Sequence, residues 1–494
     1  MRLADLLARL DVVSVSGDVA VEVRRVTRDS RQVDAHTAFV AIRGAHVDGH
    51  DLVASLVAPV VVVERPVETL AVCVQVRDAK LALAQFAAAL NGDPGLGLAV
   101  VGVTGTNGKT TVTTLVDGAL RALGWRTGRI GTTGNAVDGV IRPTAFTTPE
   151  APELQRLLAE MRDEGVRAVA MEVSSIGLAQ RRVDGIPFHT AVFTNLTQDH
   201  LDFHGDMEQY RDAKARLFRE LLRPVGGPPR ALLCADDPAW SAMGAPRDRW
   251  TYGTAPGADL RILSMSPTDA GMRIGLETPL GRTTLDTALV GTYNAQNVVA
   301  AVGVLLTLGV ALDAAARAVG GAPGAPGRLE RVAGRSDVLA VVDYAHTEDA
   351  LANVLRAVRA VTRGRLWVVF GCGGDRDPGK RPRMGAVAER LADAVVVTSD
   401  NPRSEDPAAI AAAVTAGMRP GARVVLDRAE AIGWAASQLR DGDAIVVAGK
   451  GHETYQQIRG IDHPFDDREV LAAALVRSKV TNPIEGGDSG DALE

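Results

Sequence analysis

The eight residues Thr104-Gly-Thr-Asn-Gly-Lys-Thr-Thr111 carry what a phosphate-binding turn requires. Gly105 and Gly108 let backbone N–H groups of Thr106, Asn107 and their neighbours approach an anion, Lys109 brings a compact cation, and Thr110, followed by Thr111, offers a hydroxyl to Mg²⁺. The turn is shorter than a Walker A loop, which would need glycine at position 103, where Val stands. Glu172-Val-Ser-Ser175 and Thr194-Asn-Leu-Thr-Gln-Asp-His-Leu-Asp202 each follow an apolar run. Glu172, His200 and the Thr110 hydroxyl together make a shell for Mg²⁺ bridging phosphates, an ion that takes oxygen ligands and borrows the substrate's. Alone, such a Glu or His is more often a capping residue; on consecutive strand ends they point to a metal–nucleotide site.

Four more polar clusters follow apolar runs nearer the C-terminus: Asp343-Tyr-Ala-His346, Gly371-Cys-Gly-Gly-Asp-Arg-Asp377, Ser399-Asp-Asn-Pro-Arg403 and Gly449-Lys-Gly-His-Glu453. In the third, Pro402 fixes φ and stiffens the turn that aims Arg403, a guanidinium suited to gripping a carboxylate. The plain alternative is an Arg403 that only pairs with Glu405 or Asp406 on its own loop. Near the N-terminus, Thr27-Arg-Asp-Ser-Arg31 and Arg43-Gly-Ala-His-Val-Asp-Gly-His50 could grip a nucleotide or sugar, although such loops are more often plain turns.

These residues need elements to position them. The run Leu98 to Val103 predicts a buried strand, and Leu115, Val116, Ala119, Leu120 and Leu123 predict the helix that follows the turn. Residues 1–95 read as a small α/β domain, with strands at 19–23, 38–42, 60–63 and 71–76, a helix at 80–90, and Asn91-Gly-Asp-Pro-Gly as linker. Residues 96–328 read as an open α/β sheet with further strands at 166–173, 190–193 and 231–234. Residues 329–480 repeat the βαβ rhythm, with strands at 338–342, 366–370, 394–398, 423–426 and 444–448, so a second doubly wound sheet is expected. Residues 481–494 hold too little apolar content to pack and are expected to be disordered.

With 54 basic against 60 acidic residues, a net charge of −6 leaves no broad electrostatic footprint for nucleic acid or an anionic membrane. Small-molecule partners are expected. Cys73, Cys234 and Cys372 lie far apart without metal-like spacing, which suits a reducing compartment. Charges interrupt the N-terminus before a signal-peptide core forms, and no apolar run approaches a membrane span, so a cytoplasmic monomer is expected.

The motifs TGTNGKTT, EVSS, TNLTQDHLDFHG, GTYNAQN, GRLE, DYAHT, FGCGGDRD, DNPR and GKGHE, in this order, resemble those of the Mur ligase family. Two positions depart from the family pattern: Ile176 where His commonly follows EVSS, and Glu348 where Pro commonly follows DYAHT. The resemblance implies three domains: a small N-terminal α/β domain (1–95) for UDP, a central P-loop ATPase with an open sheet (96–328), and a Rossmann-like C-terminal domain (329–480) for an amino acid. It implies, too, that ATP activates the terminal carboxylate of UDP-MurNAc-L-Ala-D-Glu as an acyl phosphate, which the amine of meso-diaminopimelate attacks to form the peptidoglycan precursor. Folylpolyglutamate synthetase, which shares the phosphate turn, and a P-loop nucleotide switch are the alternatives; the N-terminal unit and DNPR disfavour the first.

Carried over residue by residue, the resemblance places Ser30, with Asp29 and the His46 loop, at UDP, and Thr147, Thr148, Ser174 and Arg182 at the muramoyl peptide. Lys109, Thr110, Glu172 and His200 would serve ATP and Mg²⁺; Asn294 would meet adenine, and Arg328 and Asp343 the rest of the nucleotide. Arg376, Asp400, Asn401, Pro402, Arg403, Gly449 and Glu453 would hold diaminopimelate. Lys214, which by itself reads as a surface charge beside Arg211 and Arg216, is implied to be a carbamate that ligates a second Mg²⁺ with His200.

Overall fold

The computed structural model describes residues 1–44, 47–223, 230–244, 249–268 and 271–480, with the side chains of 479 and 480 excepted. The expected tail, 481–494, and His46 lie outside the described residues. The chain forms two compact units, one made of Met1–Ser266, Arg273–Thr287 and Ala295–Pro323, the other of Pro267–Met272, Ala288–Asn294 and the chain from Gly324 on.

The first unit begins with a five-stranded sheet in the order Val12–Ser16, Val72–Val76, Val60–Val63, Thr37–Val40, Arg25–Thr27. The last four strands pair in parallel, and the first joins antiparallel at the edge. The edge strand escapes sequence reading because four of its five residues are exposed and show no buried alternation. Residues 19–23 are not the strand that their composition suggests. Asp18 accepts the Ala20 N–H and turns the chain, and the backbone of Val19 and Val21 accepts from Ala4 and Leu3 instead. One face of the sheet packs against the helix Ala79–Leu90, capped by the Asp78 carboxylate on Leu81 N at 2.9 Å, around Val26, Val40, Val62, Val74, Leu83 and Phe86.

The same unit holds the larger sheet. Its parallel centre runs Arg249–Gly253, Arg230–Cys234, Thr190–Phe193, Ala99–Thr104, Ala168–Glu172, Thr127–Ile130. Strands buried on both faces read as continuous apolar runs, as 99–103 and 168–171 do. Thr127–Ile130 was illegible for the opposite reason: Gly128 and Arg129 interrupt it, and Arg129 is buried through a 2.7 Å hydrogen bond to Thr114 Oγ1. Because Ala99–Thr104 lies between the other two motif-bearing strands, with Val103 level with Glu172 and Thr104 with Phe193, all three clusters emerge at adjacent carboxyl ends.

The second unit has a six-stranded sheet in the order Glu330–Arg331, Leu339–Asp343, Ala444–Ala448, Leu366–Phe370, Ala394–Val397, Arg423–Val424. Only its first strand is antiparallel. Leu351, Leu355, Met384, Ile410 and Val414 cover one face; Ala431, Ile432, Leu471 and Leu475 cover the other. This is the doubly wound arrangement expected. The expected strand 423–426 shortens to two residues, Arg423–Val424, after which Asp427 caps the helix Arg428–Ser437. A hairpin, Tyr455–Ile458 with Ile461–Pro464, was not anticipated. Among the described residues no helix is long and apolar enough to cross a membrane, and all three cysteines are free.

Candidate active site

In the phosphate turn, Gly105 (φ 148°) and Gly108 (φ 88°) adopt backbone open to glycine, and a Cβ on either would collide with Thr194 Oγ1 or Asn297 Oδ1. The TNLT segment clamps this turn. Thr106 N donates to Asn195 O and Asn107 N to Asn195 Oδ1, both at 2.9 Å, while Thr194 Oγ1 and Asn195 Nδ2 donate to Asn107 O. The Lys109 ammonium lies over the turn, donating to Gly105 O at 2.9 Å and Thr106 O at 2.8 Å.

Beside it, Thr110 Oγ1 donates to Glu172 Oε2 at 3.0 Å, and the other carboxylate oxygen accepts Thr132 N at 2.8 Å. Thr132 Oγ1 also reaches Glu172 Oε2 at 3.1 Å and Thr147 Oγ1 at 3.0 Å. Thr148 Oγ1 donates to Glu172 O and accepts from Ser174 N, both at 3.0 Å, and Arg182 donates to Thr148 O at 2.9 Å. So Thr147, Thr148, Ser174 and Arg182 lie together beside Glu172. Glu150 pairs with Arg182 at 2.7 Å and with Arg28 at 3.0 Å, which ties the Thr27–Arg31 loop to this cluster. Arg28 makes that connection rather than Ser30. Asp29 is occupied with Arg31, whose hydrogen bonds hold its carboxyl at about 2. Ile176 lies in the short helix Ser175–Ala179, capped by Ser174 Oγ on Gly177 N.

Lys214 is buried, not a surface charge. Its Nζ donates to Gly105 O at 2.9 Å and lies 4.3 Å from the Tyr210 ring centroid. Burial pushes its amine well below the usual lysine range, and the Lys109 charge adds to the fall. Tyr210 Oη contacts Thr106 Oγ1 at 3.1 Å. His200 has left-handed backbone (φ 53°) and sits 3.5 Å from Asp199. Lost hydration lowers its imidazole; Asp199 opposes this, and the charges of Lys109 and Lys214 reinforce it. Among the described residues no group of three or more His, Cys, Asp and Glu forms a metal cage. The hydroxyl and carboxylate of Thr110 and Glu172 nonetheless fit a hard ion that completes its shell with phosphate oxygens and water.

In the second unit, the buried carboxylate of Asp343 accepts Leu329 N and Ala345 N, each at 2.7 Å, and burial raises its pKa against the opposing Arg328. Arg328 lies 4.6 Å from the Tyr344 ring centroid, and the Tyr344 ring packs at a tilt of 44° with its centroid 5.1 Å from that of His452. Asn294 Nδ2 donates to Val290 O at 3.0 Å. Tyr293 Oη, Arg328 Nε and His452 Nδ1 are buried with no hydrogen-bond partner among the described residues, polar atoms that a nucleotide could satisfy. Glu348, the unusual residue after DYAHT, opens the helix Glu348–Arg359, where a carboxylate complements the helix dipole, and pairs with Arg383 at 3.0 Å.

The DNPR loop packs on the GKGHE segment. Asn401 Nδ2 donates to Glu453 Oε2 at 2.8 Å, and Asp400 Oδ1 accepts Asn401 N at 2.6 Å. Arg403 has left-handed backbone (φ 52°), and its guanidinium donates to Gly374 O at 2.6 Å, bringing it to the loop that carries Arg376. Glu405 takes Arg381 at 2.8 Å and Asp375 N at 2.6 Å, while Asp406 caps Ala408 N. Neither acid pairs with Arg403, so the plain loop pairing does not form. Arg381, Lys450, Gln457, Asn195, Thr132 and Tyr210 were not singled out in sequence; Asn195 and Lys450 lie inside motifs, and the rest carry no spacing signal.

Three family descriptions match the chain: Mur ligase family, catalytic domain, at 22–90; Mur ligase middle domain at 103–305; and Mur ligase, glutamate ligase domain, at 327–451. A UDP-N-acetylmuramoyl-L-alanyl-D-glutamate–2,6-diaminopimelate ligase of Geobacter metallireducens is 44% identical over 502 residues, covering 96% of this chain and 98% of the relative. The protein of that name from Gloeobacter violaceus is 45% identical over 491 residues, covering 97% and 99%. A solved structure of a ligase of that name superposes with a TM-score of 0.71 at 33% identity, covering 97% of this chain and 99% of that one. A folylpolyglutamate synthase of Mycobacterium tuberculosis, with a TM-score of 0.62 at 21% identity and 82% of this chain covered, shares the fold.

Proposed function

The chain belongs to the Mur ligase family, and from that premise we propose that it ligates meso-2,6-diaminopimelate to UDP-MurNAc-L-Ala-D-Glu at the expense of ATP, making a peptidoglycan precursor. The observation that carries the choice of amino acid is Arg403, a guanidinium that neither Glu405 nor Asp406 neutralises. It can pair with the second carboxylate by which diaminopimelate differs from lysine. We assign 1–95 to UDP, with Ser30 and His46, 96–328 to ATP, and 329–480 to the amino acid.

The terminal carboxylate of the dipeptide attacks the γ-phosphorus and ADP leaves; the amine then attacks the acyl carbon, loses a proton, and phosphate leaves as the amide forms. Thr147, Thr148, Ser174 and Arg182 hold the dipeptide near the phosphate turn. Lys109 offsets charge on the transferred phosphoryl, a reaction that depends mainly on positioning and electrostatics. Asn294, Arg328 and Asp343 take the remainder of the nucleotide. Thr110 and Glu172 would hold Mg²⁺, with His200 and a carbamate on the buried Lys214 for a second ion, and the bound metal would supply charge compensation to the phosphates. Asp400, Asn401, Gly449 and Glu453 hold the amino acid's ammonium end, and Arg376 and Arg403 its far carboxylate. ATP and a UDP-linked acceptor place the work in the cytoplasm.

The test is phosphate release from ATP in the presence of the dipeptide substrate with diaminopimelate, with L-lysine, or with no amine. A ligase of this specificity releases phosphate steadily only in the first case. Steady hydrolysis without amine would instead support a nucleotide switch.

A further inference from the structure

Lys450 is fully buried, and its Nζ donates to Asn401 Oδ1 and Glu453 Oε2, each at 3.0 Å. A buried ammonium is costly unless hydrogen-bonded to an opposite charge, so its placement between these two residues calls for a role. Asn401 Oδ1 also accepts Gln457 N at 2.9 Å, while Asn401 Nδ2 donates to Glu453 Oε2 at 2.8 Å. Ammonium and backbone N–H can only donate, so they force the Asn401 amide into one of its two flips and direct Nδ2 at Glu453. Both donors on Glu453 meet Oε2, which leaves Oε1 as the oxygen through which the carboxylate can accept an ammonium group. Burial and the neighbouring Asp400 raise the Glu453 carboxyl, and Lys450 is the cation opposing that rise.

We propose that Lys450 is a positioning residue of the amino-acid site, locking the Asn401 amide and the Glu453 carboxylate in a single orientation that receives the substrate's ammonium. This rests on the assignment of Asn401 and Glu453 to diaminopimelate. Lys450 touches no substrate in this scheme; it acts through the other two.

The test is steady-state kinetics of the full chain and of K450M, whose side chain is close in length but neither charged nor a donor. K450M is expected to raise KM for diaminopimelate about ten-fold or more, with KM for ATP and for the UDP-linked substrate within about two-fold of wild type. In an E453Q background, where the partner's charge is already gone, the same change is expected to add less than about three-fold, the non-additivity of residues acting as a unit. K450Q, which keeps a donor, is expected to fall between wild type and K450M, and serves as the test if K450M does not fold. A folded K450M or K450Q with unchanged KM for diaminopimelate overturns the proposal, as do effects of K450M and E453Q that multiply in full. Wild type that fails to use diaminopimelate at all would instead overturn the assignment of the site.

Discussion

Thr110 donates a buried hydrogen bond of 3.0 Å to Glu172, 62 positions further along the chain. The hydroxyl opens the helix after the phosphate turn and the carboxylate ends the neighbouring parallel strand, so the sheet itself sets their distance. Replacing Glu172 by Gln keeps the shape and removes the charge. The expected result is a folded protein whose ligation rate falls at least about 100-fold, as losses of electrostatic stabilisation do, with a raised Mg²⁺ requirement. Rate against Mg²⁺ concentration measures it; an unchanged profile would remove Glu172 from the metal site.

Lys109→Ala is expected to leave the fold intact and abolish acyl phosphate formation, because the transferred phosphoryl loses its compensating cation. Circular dichroism checks the fold, and trapping of the acyl phosphate checks the chemistry. Near-normal ligation would refute the assignment.

For Lys214, buried beside Gly105 O, the expected outcome is loss of activity in Lys214→Ala and partial recovery on adding short-chain carboxylates or on changing the residue to Glu. Either replaces an anion. Normal turnover by Lys214→Ala would return the residue to a packing role.

Arg403→Ala is expected to cost about 2 to 3 kcal/mol of discrimination between diaminopimelate and lysine, the worth of hydrogen bonds to a charged group. The ratio of kcat/KM for the two amino acids, compared between the two proteins, reads this directly. A ratio that does not move shifts the specificity away from this loop, to Arg376 or Glu453.

Stability has its own pH signature at His452, whose imidazole burial lowers to about 4 from its ordinary 6.5. The unfolded chain then binds the proton more readily than the folded one, so this group costs nothing above pH 6.5 and destabilises progressively as pH falls from there towards 4. Denaturant midpoints between pH 7 and pH 4 should fall less in His452→Gln than in wild type. Identical slopes would place the imidazole in water.

Most of the site was legible because strand ends announce themselves: an apolar run stops and a polar cluster begins, as at Glu172, Thr194, Asp343 and Ser399. The expectation of metal and phosphate chemistry at such ends rests on residue type. Illegible were contacts that depend on which strands become neighbours. Nothing local to Asn195 says that it grips Asn107, and nothing near Arg28 says that it shares Glu150 with Arg182. Charge alone reads Lys214, flanked by Arg211 and Arg216, as solvated; the burial that the family resemblance required becomes visible only where the helix meets the phosphate turn.

The same ignorance of neighbours holds for the growing chain. A nascent polypeptide ending near residue 180 contains the phosphate turn and Glu172 but lacks the Thr190–Phe193 strand and the Asn195 clamp beyond it. Contacts spanning 88 residues incur the loop-closure cost of non-local pairing before they stabilise anything. Nucleotide affinity should therefore emerge only after residue 195 has left the ribosome, as one event with closure of the central sheet, and not piecemeal as each motif appears.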